Sequence, residues 1–356
     1  MKKSISRRDA LQWIALTTTA FLAACQNAIR PTPTASQVVK PTQTSTKLPD
    51  PTATSQPEVK EATATPGIVN GSTVYMTTNI SASGLMKVYQ APNHKPNGRV
   101  AVKISSGEPG GHNFLSPDLI APLVNEVHGT IVECNTAYGG GRADTVSHLR
   151  ALEDHGFTAI AAVDVMDVDG TMSLPIVGGK HLSEDIIGSH FANYDFVVNL
   201  AHFKGHAMGG FGGVIKNMSI GIASSMGKSL IHSAGKETTG FGMNTPKDDF
   251  LESMAEAAKG VADHLGENIL YINVMNKLSV DCDCDSHPAD PTMKEIGILA
   301  SLDPVALDQA CVDLVCAAPD GKDLIERMES RHAIHTLEHA ETIGLGSRKY
   351  QLINID

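Results

Sequence analysis

Two cysteines one residue apart, Cys282 and Cys284, stand in the acidic run Asp281-Cys-Asp-Cys-Asp285. In an extended segment alternate side chains share a side, so both sulfurs are offered to one soft metal or to a cluster edge. His287, His206, His232 or Cys134 could complete such a set. Three states are open to the pair: thiolate ligation, a disulfide from one of them to Cys134, or free thiols. A ring between the two themselves is strained. A second concentration of chemistry runs from Ala201 to Lys228. Its glycines, Gly205, Gly209, Gly210, Gly212 and Gly213, let backbone N–H groups approach a ligand closely. Lys204, Lys216 and Lys228 bring countercharge for a phosphate or carboxylate, and His206 can serve as metal ligand or as acid–base. His202 and His206 have an i, i+4 spacing, but so many glycines favour a loop. An anion-binding loop, a metal-binding loop and a tight turn all fit this composition. Gly227-Lys228-Ser229 is no Walker loop, because Ile222 stands where that loop needs glycine.

These groups need a frame. Val100–Ile104, Thr130–Cys134, Thr158–Val163, Phe196–Leu200, Ile269–Val274 and Ile296–Ala300 read as strands. Pro117–Val127, Ala143–Asp154, Ser183–Asn193, Asp248–Leu265 and Pro304–Cys316 read as helices. Near-continuous apolar strands alternating with helices predict an α/β fold, an open and mostly parallel sheet with helices on both faces. Each polar cluster then follows a strand: Cys134-Asn135-Thr136, Asp164 with Asp167, His202 to His206, the Cys-x-Cys, and Asp303. In such sheets ligands bind outside the carboxyl ends of the strands, so these groups are expected at one rim. Loops are polar in any case, and some of these residues would only cap helices. Asp303-Pro304 predicts an N-cap with proline at the first helical position, and Leu307, Cys311, Leu314 and Val315 a core stripe. Cys316 is expected to be buried beside it. Ala143, Val146, Leu149 and Leu152 form an apolar line, with Arg142, Thr145 and His148 beside it facing a common ligand. His332, His335 and His339 are expected on a charged, solvated helix.

The 356 residues carry a net charge of −11, which repels phosphate backbones and argues against a nucleic-acid partner. Residues 1–25 read as a twin-arginine-like lipoprotein signal: basic Lys2, Lys3, Arg7 and Arg8, an apolar run, then Leu-Ala-Ala before Cys25, the lipidated residue. Residues 26–70 are rich in Pro, Thr and Ser and read as a disordered tether, leaving residues 71–356 as the α/β domain. The expected location is extracytoplasmic, anchored to a bacterial membrane through lipid on Cys25. No other apolar stretch approaches membrane length.

Three stretches, Glu133–His148, Phe203–Lys228, and Asp281–Cys284 with Ile296–Val315, resemble the bacterial and archaeal family called domain of unknown function 362. Many members are iron–sulfur centre proteins with a ferredoxin segment after the Gly-Lys of the glycine-rich motif. Here no cysteine lies between Lys228 and Cys282, so that cluster does not carry over. What the resemblance implies as site residues are Asn135, Arg142, His148, His206, Lys216, Asn217, Cys282, Cys284 and Asp303. The order His206, Gly210 to Gly213, Lys216 also resembles the nickel-dependent lactate racemase family. The expectation is a transition-metal or iron–sulfur centre on Cys282, Cys284 and His206. Lys216 and His148 join His206 in catalysis. Asn135, Arg142, Gly212, Gly213, Asn217 and Asp303 hold a small anion, and a redox partner is compatible with this. The alternatives are a metal-dependent racemase, lyase or hydrolase, and a non-catalytic anion-binding lipoprotein.

Overall fold

The computed structural model describes residues 71–356 apart from Met243. The signal, the tether and Cys25 lie outside the described residues. Beginning with β1 (Ser72–Thr77) and α1 (Ala82–Gln90), the chain builds two βα units: β2 (Val100–Lys103) with α2 (Pro117–Glu126), and β3 (Thr130–Glu133) with α3 (Thr145–Asp154). Next come β4 (Val163–Val165), the hairpin β5 (Thr171–Pro175) and β6 (Glu184–Gly188), and the central β7 (Phe196–His202). A short hairpin, β8 (Lys204–His206) and β9 (Gly210–Gly212), leads into α4 (Val214–Ile222), α5 (Ser225–His232) and α6 (Lys247–Leu265). The chain closes with β10 (Ile269–Met275), β11 (Gly297–Ser301), α7 (Pro304–Ala317), α8 (Lys322–Ser330), α9 (Ile334–Thr342) and β12 (Tyr350–Asn354).

Eight strands form one sheet in the order β12-β1-β11-β10-β7-β2-β3-β4. All run the same way except β11, which is antiparallel to both neighbours. Alternation along each strand splits the core in two. Val100, Val102, Val198, Leu200 and Ile272 pack with α1, α2 and α3 on one face. Ala101, Val197, Ala201 and Tyr271 pack with α4, α6 and α7 on the other. The open, mostly parallel α/β sheet with helices on both faces is therefore the fold. Among the described residues no helix is long and apolar enough to cross a membrane.

Several local expectations fail for identifiable reasons. The strand expected at Thr158–Val163 begins only at Val163, because buried Phe157 seats a 3₁₀ turn at Phe157–Ala159 after left-handed Gly156. Ser183–Asn193 is not a helix: it is β6, pinned by pairing to β5, followed by a 3₁₀ turn. On α3 the expected apolar line is split: Val146 (80% exposed) and Leu149 point outward, while Leu152 faces inward with His148 and Ala151. That helix starts two residues late because Asp144 caps it, accepting from the amides of Val146 and Ser147. Cys316 is exposed, one position beyond the buried stripe of Leu307, Cys311 and Val315. The glycine-rich segment is less loop than expected: it is the β8–β9 hairpin and then helix α4, which is buried on nearly every side.

Candidate functional site

The carboxyl ends of β2, β3 and β7 and the loop after β10 surround a cavity of about 100 Å³. Each contributes differently. Lys103 ends β2 on the face covered by α4, where its ammonium donates to Asn217 Oδ1 (3.1 Å). Asn217 in turn donates to the Lys103 carbonyl (3.0 Å) and to Asn199 (2.6 Å), tying α4 to β2 and β7. Burial pushes Lys103 down to about 8. Glu133 ends β3 and accepts from Arg142 (2.9 Å), from the Ser106 amide (2.6 Å) and from His148 (2.9 Å). Burial alone would raise the Glu133 carboxyl; Arg142, Lys103 and His148 outweigh it and hold the group well below the usual carboxylate range. Arg142 also bonds Glu108 (2.9 Å), so this cation is shared between two buried carboxylates.

The hairpin after β7 delivers His206. Its Nδ1 accepts the amide of Gly209 at 2.8 Å, which places the ring proton of the neutral imidazole on Nε2. Burial, then Lys216 and His232, pushes this ring well below its ordinary value, so it is neutral at pH 7. His232, from α5, has the opposite tautomer. Its Nδ1 donates to the Lys228 carbonyl at 2.6 Å, leaving the lone pair on Nε2, and burial lowers it to about 4. Both histidines line the cavity, together with Lys204, Lys216 and Lys228.

The Cys-x-Cys reaches the same place because its middle residue is anchored. The Asp283 carboxylate meets His202 Nδ1 at 2.9 Å and Lys204 Nζ at 2.7 Å, all three buried. The sulfurs of Cys282 and Cys284 thereby come within 4.8 Å of each other and of a His206 ring nitrogen. Lys216 Nζ lies 3.2 Å from Cys282 Sγ. A hydrogen bond from Cys284 and the ammonium groups of Lys216 and Lys204 lower the Cys282 thiol well below its ordinary value despite burial. Two thiolates and an imidazole are a soft donor set, and it is compatible with a metal centre. All described cysteines are free. Cys134 is pushed up to about 12 by burial and points its thiol at the Ile222 carbonyl, unpaired with either Cys282 or Cys284.

His206, Lys216, Arg142, Asn217, Gly212, Gly213 and Cys284 thus line one cavity, and Cys282 joins Cys284 in a pocket beside it. Three expected residues do not. Asn135 holds Thr145 (3.0 Å) and His148, fixing α3. His148 is fully buried behind Glu133 and supports that carboxylate. Asp303 lies at the opposite rim, because β11 runs antiparallel; it caps α7 through the amides of Val305 (2.9 Å) and Ala306 (3.0 Å). Asp164 and Asp167 also stay outside, the first on His190 and Tyr194, the second on the amides of Asn135 and Ser225. The two amides after Gly213 are not open to a ligand: the Asp308 carboxylate takes those of Val214 (2.9 Å) and Ile215 (3.0 Å) at the start of α4. Lys103, Glu133, Tyr138 and Phe241 were missed. The signal for Lys103 was a lone lysine inside an apolar strand.

No curated protein matches the sequence. A lactate racemase apoprotein from Thermoanaerobacterium thermosaccharolyticum is similar over 58% of this chain and 51% of its own, at 16% identity and a TM-score of 0.35. A Thermotoga maritima protein of known crystal structure is similar over 73% of this chain and 58% of its own, at 11% identity and a TM-score of 0.37. The chain therefore spans little more than half the length of these structures, and likenesses so remote carry no activity across. Residues 100–313, more than half of the chain, match the profile described as Domain of unknown function (DUF362), and the chain belongs to that family.

Proposed function

We propose that this chain is an exported, membrane-tethered protein that holds a transition-metal or redox centre on Cys282, Cys284 and His206 beside a small-anion site. One observation carries the reading. Three soft donor atoms within 4.8 Å of one another open onto a cavity lined by Lys103, Lys204, Lys216, Lys228 and Arg142. Against these cations only Glu133 among the lining residues is a carboxylate, so the cavity favours a compact anion in an otherwise acidic protein. Its small volume suits a phosphate or a short carboxylate, not a nucleic acid. Lys216 and Lys204 favour the Cys282 thiolate, while Cys284, pushed up by its hydrogen bond to Cys282 and by burial, releases its proton when a soft cation binds. To ligate, His206 exchanges its Gly209 bond for the metal. The signal and Cys25 supply the tether and the extracytoplasmic location in this proposal.

A second reading rests on the histidine tautomers. With Nε2–H on His206 and a free Nε2 lone pair on His232, the cavity holds a proton donor and an acceptor, both neutral at pH 7. That pair supports metal-assisted proton transfer without redox change, as in a racemase or lyase. Elemental analysis of protein purified after native export tests the centre. Near-stoichiometric metal in the wild type and its loss in Cys284→Ala support it; equally little metal in both overturns it. His206→Ala separates the readings: loss of metal places His206 among the ligands, and retained metal places it as the donor.

A further inference from the structure

A second group of metal-type donors lies away from the cysteines, where α6 meets α9 and the loop before β6. Glu252 of α6 is only 9% exposed, and its carboxylate is gripped from two sides. His181 Nε2 stands 2.5 Å from Oε2, and His335 Nε2 stands 3.0 Å from Oε1. One helical turn earlier, the Asp249 carboxylate lies within 4.8 Å of both the His181 and Glu252 donor atoms. Among the described residues no side chain forms a hydrogen bond or ion pair with the Asp249 carboxylate, although the Lys180 ammonium lies near both it and Glu252, so two carboxylates approach each other beside an imidazole. Next to them, Glu256 accepts the amides of Lys180 (2.9 Å) and Leu182 (2.8 Å) and meets His339 Nε2 (3.0 Å), which holds the His181 loop in place. His332, on Asp248 at 2.8 Å, stacks on the His335 ring.

We infer that His181, Asp249 and Glu252 form a binding site for a borderline divalent cation of the zinc type, with His335 orienting the Glu252 carboxylate through its other oxygen. One imidazole and two carboxylates match the donor preference of that ion and leave a further position for water. A dication would also relieve the repulsion between Asp249 and Glu252. The site joins the loop before β6 to α6, so occupancy fastens that loop to the helix. One group opposes it: the Lys180 ammonium, 2.7 Å from Glu252 Oε2. Its side chain is 60% exposed and can swing into solvent, so it competes with the cation and does not block it.

The test uses the full chain carrying Cys282→Ser and Cys284→Ser, titrated with Co²⁺ and then displaced with Zn²⁺. The inference expects one Co²⁺ per chain, with visible d–d bands and no sulfur-to-metal charge-transfer band. His181→Ala and Glu252→Gln each weaken binding at least tenfold, whereas Lys180→Ala tightens it several-fold. Absence of Co²⁺ binding, or binding indifferent to His181→Ala and to Lys180→Ala, overturns the site. The outcome is independent of the cysteine centre, which this background removes.

Discussion

Asp185 lies on β6 with no exposed surface, and among the described residues neither carboxylate oxygen has a hydrogen-bond partner. Burial raises it to about 8 from an ordinary 3.8, although Lys228 pulls the other way. The folded chain therefore keeps a proton that the unfolded chain releases. Between those two values the native state binds more protons, so stability falls as pH rises. The contribution is complete below the ordinary value and lost as pH rises through the raised one. Each pH unit is worth about 1.4 kcal/mol, so the step from pH 5 to pH 7 removes on the order of 3 kcal/mol. Asp185→Asn keeps the shape and cannot ionise. Urea unfolding of both proteins at pH 5, 6 and 7 should show the difference shifting by that amount in favour of the variant. The absolute effect of the amide cancels in this comparison. A difference that stays constant with pH would refute the reasoning.

The other predictions concern the cavity. A Cβ on Gly213 would lie 2.2 Å from Asp308 Oδ1, so Gly213→Ala should cost about 1–3 kcal/mol in unfolding experiments. Gly212→Ala should be tolerated, because the nearest atom is the flexible Lys216 Cδ at 3.0 Å. Lys216→Met removes the ammonium beside Cys282, so in reduced, metal-free protein the pH at which Cys282 becomes reactive to alkylation should move up, and an unchanged pH profile would contradict this. Glu133→Gln leaves Arg142 with Glu108 alone and removes the carboxylate that His148 meets, and should destabilise the protein by about 1–3 kcal/mol at pH 7. Glu133 is held low in the fold, so its stabilisation is present above the ordinary carboxyl range and fades on acidification. The penalty of the variant should shrink accordingly at acid pH.

The sheet was legible where its physics is local. Runs such as Val100–Lys103 and Phe196–His202 are buried on both faces and carry almost no polar residue but Lys103, Asn199 and His202. Direction was not legible: nothing in Gly297–Ser301 marks it as the reversed strand, and Asp303 was displaced to the wrong rim on that account. The clusters after β3, β7 and β10 did converge, because those strands lie within one parallel block. Val146 and Leu149 misled because apolar spacing on α3 competes with a polar demand. Glu133 needs His148, and that turns the helix. Glycine density concealed α4, a helix stabilised by packing and by Asp308, with little help from its own sequence. His335 and His339 were expected in solvent, yet they meet Glu252 and Glu256, contacts that need α6 to be in place first.

The central claim is that Cys282 and Cys284 bind one metal at the lysine-lined cavity. X-ray absorption of the metal in protein purified from its native host reads its ligands directly. For zinc, the account predicts two sulfurs at about 2.3 Å and nitrogen or oxygen at about 2.0–2.1 Å, with the sulfur shell lost in Cys284→Ala. A shell made only of nitrogen and oxygen in the wild type would contradict it.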